Sequence, residues 1–209
     1  MVSEDASIDF YDIEKNAKPM AAEHCEAITK RVFEIESNFR VRPGNRKSFH
    51  LRDEQSEMFW RKVPNSQKII DHIRDEMYPY GVSHQALWFS IISGSKQEPG
   101  FQGLHQDQYY DEKLVDQKEP VYATSTVIYK SDGMTGGQFI IGGDGWTKDP
   151  MRAGGENTEN NMGYRLKVIE NQNVGDSTTW THTTIHGVAE VTNGKRITMM
   201  ISKKSKYNG

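Results

Sequence analysis

The hydrophobic pattern changes its period near Tyr80, and this change is the strongest constraint on the fold. Before it, apolar residues recur every three or four positions over residues 20–38 and 66–77, which predicts two amphipathic helices. After it the period falls to two, in short segments rich in β-branched and aromatic residues. The predicted strands are residues 86–92, 123–129, 138–141, 166–169, 177–181 and 196–202. We therefore expect an α+β protein, mainly β, with an antiparallel sandwich or jelly roll.

The same change of period predicts how the chain is organised. Residues 1–80 are expected to form a helical support region and residues 81–209 a β core, and a chain of 209 residues can hold both in one domain. Two connections, 94–120 and the polar, Gly/Asn-rich 142–164, are long for a compact domain. Connections of that length are commonly lids, binding loops or disordered segments.

Composition excludes several classes of protein. The 26 Lys and Arg residues against 29 Asp and Glu give a net charge of -3, which argues against a strongly basic nucleic-acid coater. The only cysteine, Cys25, excludes a disulfide framework and a cysteine-based zinc site. Residues 1–15 lack the apolar core of a signal peptide, and no apolar run reaches the ~20 residues of a membrane span. We expect a soluble, cytoplasmic protein with no membrane partner.

The most distinctive local feature is His105-Gln-Asp107. Residues two apart in an extended segment point to the same side, so the imidazole and the carboxylate can converge on one point. With a distant second histidine they would form the 2-His-1-carboxylate set of non-haem Fe(II) oxygenases. Taken alone, the pair is more often a loop histidine beside a solvated aspartate.

Two later segments offer residues that complete such a site. His186 follows a predicted strand and is a candidate third ligand, and Arg196 could hold a carboxylate through two parallel hydrogen bonds. Tyr129 ends a strand, and Gly136 and Gly137 permit a tight turn after it. Each of these residues alone has an ordinary structural explanation.

In their order, these features resemble the Fe(II)- and 2-oxoglutarate-dependent dioxygenases, and the prolyl-hydroxylase-like branch most closely. The elements are His-X-Asp at 105–107, a strand ending at Tyr129 before a Gly-Gly turn, His-Gly-Val at 186–188 and Gly-Lys-Arg at 194–196. They span about residues 86–204. The resemblance implies a double-stranded β-helix, a distorted jelly roll with helices braced on one sheet. Nothing before residue 80 matches a motif of the family.

The resemblance also assigns roles to residues. His105, Asp107 and His186 match the iron ligands and thus the catalytic centre. Arg196 matches the residue that pairs with the C5 carboxylate of 2-oxoglutarate, and Tyr129 the tyrosine that assists it. The implied cofactor is Fe(II), with 2-oxoglutarate and O2 as cosubstrates and ascorbate as a stimulant. A carboxylate at 107 favours hydroxylation over halogenation.

Two alternatives bear on the ligand set. Asn193-Gly194 resembles a two-residue hairpin turn, and in a flat hairpin Arg196 would lie opposite Val191. Arg196 would then face away from His186, so the functional interpretation requires the chain to bend or to cross between sheets here. His182 could also compete with His186 as a ligand. We expect a structural or surface role for the remaining histidines, which are His24, His50, His72 and His84.

The substrate is the least constrained part of the prediction. A prolyl residue in a peptide or protein is the first choice by analogy with the branch. A small molecule or nucleobase is the second, and a catalytically silent jelly-roll binding module is the third. Tyr109, Tyr110 and Trp146 are candidate substrate contacts on the long loops. The basic run 40–52 could contact an acidic peptide or a nucleic-acid phosphate, although a solvated face is its simpler interpretation.

Overall fold

The fold is a mainly antiparallel β structure with helices on one side. The computed structural model describes residues 18–77, 81–105, 122–142, 166–169, 172–181 and 184–203. The helices in these ranges are α1 (Ala22–Glu34), α2 (Glu54–Trp60) and α3 (Ser66–Met77). The strands are β1 (Arg40–Arg42), β2 (Arg46–Arg52), β3 (Val82–Gly94), β4 (Gly100–His105), β5 (Tyr122–Lys130), β6 (Thr135–Gly136), β7 (Phe139–Gly142), β8 (Leu166–Ile169), β9 (Ser177–Thr181) and β10 (Ile185–Lys203).

The strands form two groups that share β10. The major sheet has the order β1-β2-β3-β10-β5-β9, and every neighbouring pair in it is antiparallel. The minor sheet joins β4, β6 and β7 to the first half of β10, and β8 pairs with β7. The prediction of a mainly β, antiparallel fold with N-terminal helices is confirmed.

The long strand β10 connects the two sheets without a turn. Its residues up to Asn193 pair with β4, β6 and β7, whereas those from Gly194 onward pair with β3 and β5. Asn193-Gly194 is therefore not a hairpin. Gly194 takes the positive φ of 92° at the point where the strand passes from one sheet to the other. The crossing that the functional interpretation required is present in the backbone.

The main hydrophobic core lies between the helices and the outer face of the major sheet. The apolar faces of α1 and α3 supply residues such as Ile28 and Ile69, both completely buried, which meet Ile197 and Met199 of β10. Thr29 on α1 donates a hydrogen bond to the carbonyl of Ile128 at 3.0 Å. This core fixes the outer face of β10, so the alternate residues of β10 face the space between the sheets.

Four of the described strands, β1, β2, β4 and the two-residue β6, lie where the sequence predicted none. The region before residue 80 contributes β1 and β2 to the major sheet in addition to its helices, and β2 pairs with β3 from Arg46 to Arg52. The predicted loop 94–120 contains β4, at residues 100–105. These segments are rich in Arg, Lys and Gly, so their composition argues against strand and only long-range pairing makes them strands.

None of the helices within the described ranges is long and apolar enough to cross a membrane.

Candidate active site

Two histidines meet between the sheets, at the end of β4 and near the start of β10. His105 and His186 are direct partners in the antiparallel register of these strands. Their ring centroids are 4.4 Å apart. Opposite residues in such a pair project to the same face, which explains why histidines 81 positions apart in the chain converge.

The backbone fixes the same tautomer on both rings. Nδ1 of His105 lies 2.9 Å from the carbonyl oxygen of Gly103, and Nδ1 of His186 lies 3.0 Å from that of Thr184. A carbonyl can only accept, so each Nδ1 carries the proton and each Nε2 carries the lone pair. The side-chain amide of Gln102 lies 3.0 Å from Nε2 of His105. Carbonyl-oriented imidazoles with a basic Nε2 are typical metal ligands.

Aromatic rings enclose His186, which is 3% exposed. Trp180 and Phe139 lie against its imidazole, with centroid distances of 4.6 and 5.6 Å. They belong to an apolar cluster between the sheets that also contains Met200 and contacts Trp88. The apolar wall limits access of water to this side of the histidine pair.

Gly187 permits the close approach of β4 to β10 beside these histidines. A Cβ atom built on it would lie 2.7 Å from the carbonyl oxygen of Gln102 and 3.2 Å from the backbone of Gly103. Any side chain at this position would push the strands apart. The close approach of β4 therefore explains why the His-Gly-Val motif has glycine at this position.

Arg196 projects from the second half of β10 into the same space and is 2% exposed. Its guanidinium donates to the carbonyl of Gly137 and, at 2.7 Å, to Oε1 of Gln172. Its Nε is buried without a partner within the described residues. Burial lowers the pKa of Arg196 to about 10, so the side chain stays positively charged at neutral pH. A buried cation paired only with neutral groups is a suitable partner for a carboxylate ligand.

The structure does not bring Tyr129 to this group. Tyr129 pairs with Ile197 across β5 and β10, and its ring packs edge-on against Phe33 of α1 at 5.5 Å. Residues that alternate along a strand face opposite sides, so Tyr129 lies on the helix side whereas Arg196 faces the space between the sheets. The placement differs from the expected role beside Arg196. The register between β5 and β10 shifts between Ile197 and Thr198, because β5 carries one extra residue there. Sequence alone does not reveal this shift.

Asp107, the expected third ligand, lies outside the described residues, as do His182, Tyr109, Tyr110 and Trp146. Over the ranges that the structure describes, no group of three His, Cys, Asp or Glu side chains could hold a metal ion. The two described histidines nevertheless fit one, because both carry a lone pair on Nε2 and project from opposed strands. Asp107 follows His105 by two residues.

Sequence patterns did not indicate two glutamines and an aromatic pair that contact the site residues. Gln172 accepts from Arg196 and donates to Thr178 at 2.7 Å, so it holds the guanidinium in place. Gln102 contacts His105 as described above. Gln172 lies in a polar stretch with no distinguishing pattern, whereas Gln102 precedes His105 by three residues in a strand that was itself missed. The contacts of Trp180 and Phe139 with His186 depend on strand register.

Comparisons with known proteins define the class of fold. No family model and no curated protein matches the sequence. Solved structures of the 2-oxoglutarate-dependent iron oxygenases do match the chain, and the expected resemblance is thus confirmed in the fold. A Pseudomonas putida prolyl-4-hydroxylase aligns with TM-score 0.51 and 11% identity, over 90% of each chain.

Two further solved structures share the fold. HygX from Streptomyces hygroscopicus, solved with nickel and 2-oxoglutarate bound, aligns with TM-score 0.55 and 13% identity over 92% of this chain and 84% of its own. SnoN, a non-haem α-ketoglutarate-dependent epimerase from nogalamycin biosynthesis, aligns with TM-score 0.54 and 10% identity over 88% and 74%. Identities this low establish the fold alone.

Proposed function

We propose that this chain is an Fe(II)- and 2-oxoglutarate-dependent dioxygenase that hydroxylates an unactivated C–H bond. The observation that carries the proposal is the opposition of His105 and His186, both oriented by backbone carbonyls, at a ring separation of 4.4 Å. Asp107 would complete the ligand set, and the two sheets joined by β10 would be the two halves of a double-stranded β-helix. The shared fold with 2-oxoglutarate-dependent proteins supports this assignment.

Different residues of this chain would bind the metal, bind 2-oxoglutarate and exclude water. His105 and His186 would hold the metal through Nε2, because their Nδ1 protons are already donated to carbonyls. Arg196 would bind the far carboxylate of 2-oxoglutarate, held in place by Gln172. Trp180 and Phe139 would keep water from the His186 side. The chemistry supplied at such a site is oxidation of 2-oxoglutarate by O2 to succinate and CO2, coupled to hydroxylation of substrate.

Metal binding is the direct test of this proposal. Titration of the purified protein with Ni(II), a redox-silent substitute, should show one site, and His105→Ala and His186→Ala should each weaken it. Because a ligand is lost, the loss should exceed the ~10- to 100-fold that follows removal of an outer-shell partner. His72→Ala on α3 is the matched control and should bind as the wild type does. Equal affinity in all three variants would contradict the ligand assignment.

For the substrate we propose a prolyl residue in a peptide or protein. The prolyl-4-hydroxylase with the same fold supports that choice, but SnoN shares the fold and is an epimerase, so a small-molecule substrate is the second candidate. Succinate release should be measured with Fe(II), ascorbate and 2-oxoglutarate. The panel should contain proline-containing peptides, free amino acids and methylated nucleotides. Stimulation by peptides alone would support the first candidate, and stimulation by the small molecules alone would replace it.

A further inference from the structure

The outer strands β1 and β2 carry a set of cations on the sheet face that contains the candidate active site. In the register of the major sheet, Arg46 is the partner of Ile92, which is in turn the partner of Arg196. Partners across antiparallel strands project to the same face. The residues on this face, which we call the basic face, are Arg40, Arg42, Arg46, His50 and Arg52.

The basic face continues into the wall of the active site. His50 stacks on Trp88, with ring centroids 4.3 Å apart. Trp88 packs against the apolar cluster that contains Trp180, and Trp180 contacts His186. Arg46 is two strands from Arg196, a separation of roughly 10 Å at ordinary strand spacing. A ligand held on the basic face could therefore extend to the histidine pair.

The cations of this face lack the partners that the chain gives to cations elsewhere. On the opposite face of β2, Lys47 forms an ion pair with Glu36 at 2.7 Å. By contrast, no member of the basic face forms an ion pair with a carboxylate within the described residues. Among the described residues, the side-chain partner of Arg42 is neutral, the hydroxyl of Ser48 at 3.1 Å.

Buried hydrogen-bond donors on the same face are also unpartnered. Nε and Nη1 of Arg46, Nε1 of Trp88 and the hydroxyl of Ser90 are inaccessible to solvent and have no hydrogen-bond partner within the described residues. Burial, followed by the charge of Arg42, lowers the pKa of Arg46 to about 10. Unsatisfied buried donors are costly. Arg46 as a whole is only partly buried, so a negatively charged ligand rich in acceptors could pair with its guanidinium and offset part of this cost.

The spacing of the cations indicates the shape of that ligand. Alternate residues of a strand lie roughly 6.6 to 6.8 Å apart, so the basic face presents charge at that interval along β1 and β2. Alternate side chains of an extended peptide have the same interval. A single-stranded nucleic acid would need exposed aromatic rings for its bases, whereas one face of Trp88 is covered by His50.

We propose that the basic face binds an acidic, extended segment of the substrate peptide and so delivers a neighbouring residue to the histidine pair. This inference takes its peptide substrate from the proposed function and adds the charge that the peptide must carry. The carboxylates would pair with Arg40, Arg42 and Arg46. The binding step itself requires neither metal nor 2-oxoglutarate.

Fluorescence anisotropy on the full chain without added metal tests the binding. A labelled peptide of alternating Glu and Pro should bind, and the same peptide with Gln for Glu should not. Arg40 and Arg42 are exposed, so the double variant Arg40→Gln/Arg42→Gln should fold with the wild-type melting temperature. Its Kd for the Glu peptide should rise roughly 3- to 10-fold, as expected for two exposed charge pairs.

The control is Arg61→Gln, directly after α2, which removes an arginine whose side chain is 76% exposed. It should leave the Kd unchanged. Equal binding of the Gln peptide, an equal loss in Arg61→Gln, or stronger binding of oligothymidylate than of the Glu peptide would each overturn the proposal.

A second readout uses His50. Burial and, after it, the charges of Arg52, Arg42, Arg46 and Arg40 lower the pKa of this histidine to about 4. Carboxylates bound on the basic face would offset the arginines, so the NMR titration of His50 should move to higher pH with the Glu peptide. An unmoved titration would contradict the proposal.

The two proposals fail in different ways. If the protein binds the Glu peptide and shows no 2-oxoglutarate turnover, the basic face stands and the dioxygenase function is lost. If neutral and acidic prolyl peptides stimulate succinate release equally, the dioxygenase function stands and the role of the basic face is lost.

Discussion

At the scale of single residues, the role of each side chain in the site depends on which of its hydrogen-bonding atoms or charges its neighbours leave without a partner. Arg196 is buried and charged, and its partners among the described residues are neutral acceptors, one of which is Gln172. His105 and His186 each donate one ring proton to a backbone carbonyl, so the other nitrogen is basic. In both cases the hydrogen-bond partner, and not the residue type alone, determines the property that the site needs: the uncompensated charge of Arg196 and the lone pair on Nε2 of each histidine.

A charge placed beside Arg196 tests its proposed role. Gln172→Glu would set a carboxylate 2.7 Å from the Arg196 guanidinium, where Gln172 now accepts a hydrogen bond. That internal carboxylate should compete with 2-oxoglutarate and weaken its binding at least ~10-fold, since charged hydrogen bonds contribute about 1.5 to 3 kcal/mol. Calorimetric titration of 2-oxoglutarate into the Ni(II)-loaded protein measures this. Gln67→Glu, which adds the same charge at an exposed position of α3, should bind 2-oxoglutarate normally. Unchanged affinity in Gln172→Glu would remove Arg196 from the cosubstrate site.

The sequence motifs singled out His105, His186 and Arg196, which project to one side of the sheet, but they did not indicate the face on which Tyr129 lies. The first three converge although β4 and β10 carry register shifts beside them, so their convergence depends on strand pairing and not on sequence alternation alone. Tyr129 follows a register shift between β5 and β10, and one extra residue reverses the face of everything beyond it. Gln172 could not be found from sequence, because its importance arises from a contact across 24 positions of the chain.

At the scale of elements, segments rich in apolar and β-branched residues were predicted well, and segments rich in Arg, Lys or Gly were not. The prediction of a helix at 66–77 and of strands at 166–169 and 177–181 agrees with the structure to the residue. The edge strand β1 and its neighbour β2 are rich in arginine, and β4 contains two glycines, so their strand conformation depends on partners distant in sequence. The same arginines form the basic face.

The pair of β4 and β10 is the element on which the histidine site depends, and Gly187 tests it. Gly187→Ala should cost about 1 to 3 kcal/mol in the free energy of unfolding, as overpacked sites do. It should also weaken Ni(II) binding, because the strands that carry His105 and His186 must separate. Gly133→Ala is the matched control: its φ of 66° strains an alanine, but the added Cβ meets only Asn193 Nδ2 at 4.0 Å. Urea unfolding and Ni(II) titration should separate the two, and a Gly187→Ala protein with wild-type Ni(II) affinity would contradict this account.

At the scale of the whole molecule, the helices and the site occupy opposite faces of one sheet. The helical core fixes Ile197, Met199 and Ile201 of β10, and the residues between them include Thr198 and Met200, which face the site. The sequence indicated both layers through the change of period near Tyr80. It did not indicate that β10 belongs to both sheets, because a continuous strand of 19 residues interrupted by Asn-Gly resembles a hairpin.

Cys25 on α1 provides a probe of whether the helical layer and the sheets unfold together. The thiol is 1% exposed, and burial raises its pKa from 9.0 to about 11. Because the pKa of the thiol is higher in the folded state, the neutral thiol's contribution to the stability of the folded protein is fully present below pH 9. This contribution is lost as the pH rises toward 11. The difference in unfolding free energy between the wild type and Cys25→Ala should shift by about 2 to 3 kcal/mol against the wild type over that range.

Thiol labelling completes this test at neutral pH. Since Cys25 is buried in the core that joins α1 to the major sheet, an aromatic disulfide reagent should reach it only when that core opens. If the layers are cooperative, the opening free energy from labelling equals the free energy of unfolding from urea. A much smaller opening free energy would mean that α1 detaches alone. The outer face of β10 would then be exposed while the histidine pair remained assembled, and metal binding would not depend on the helical brace.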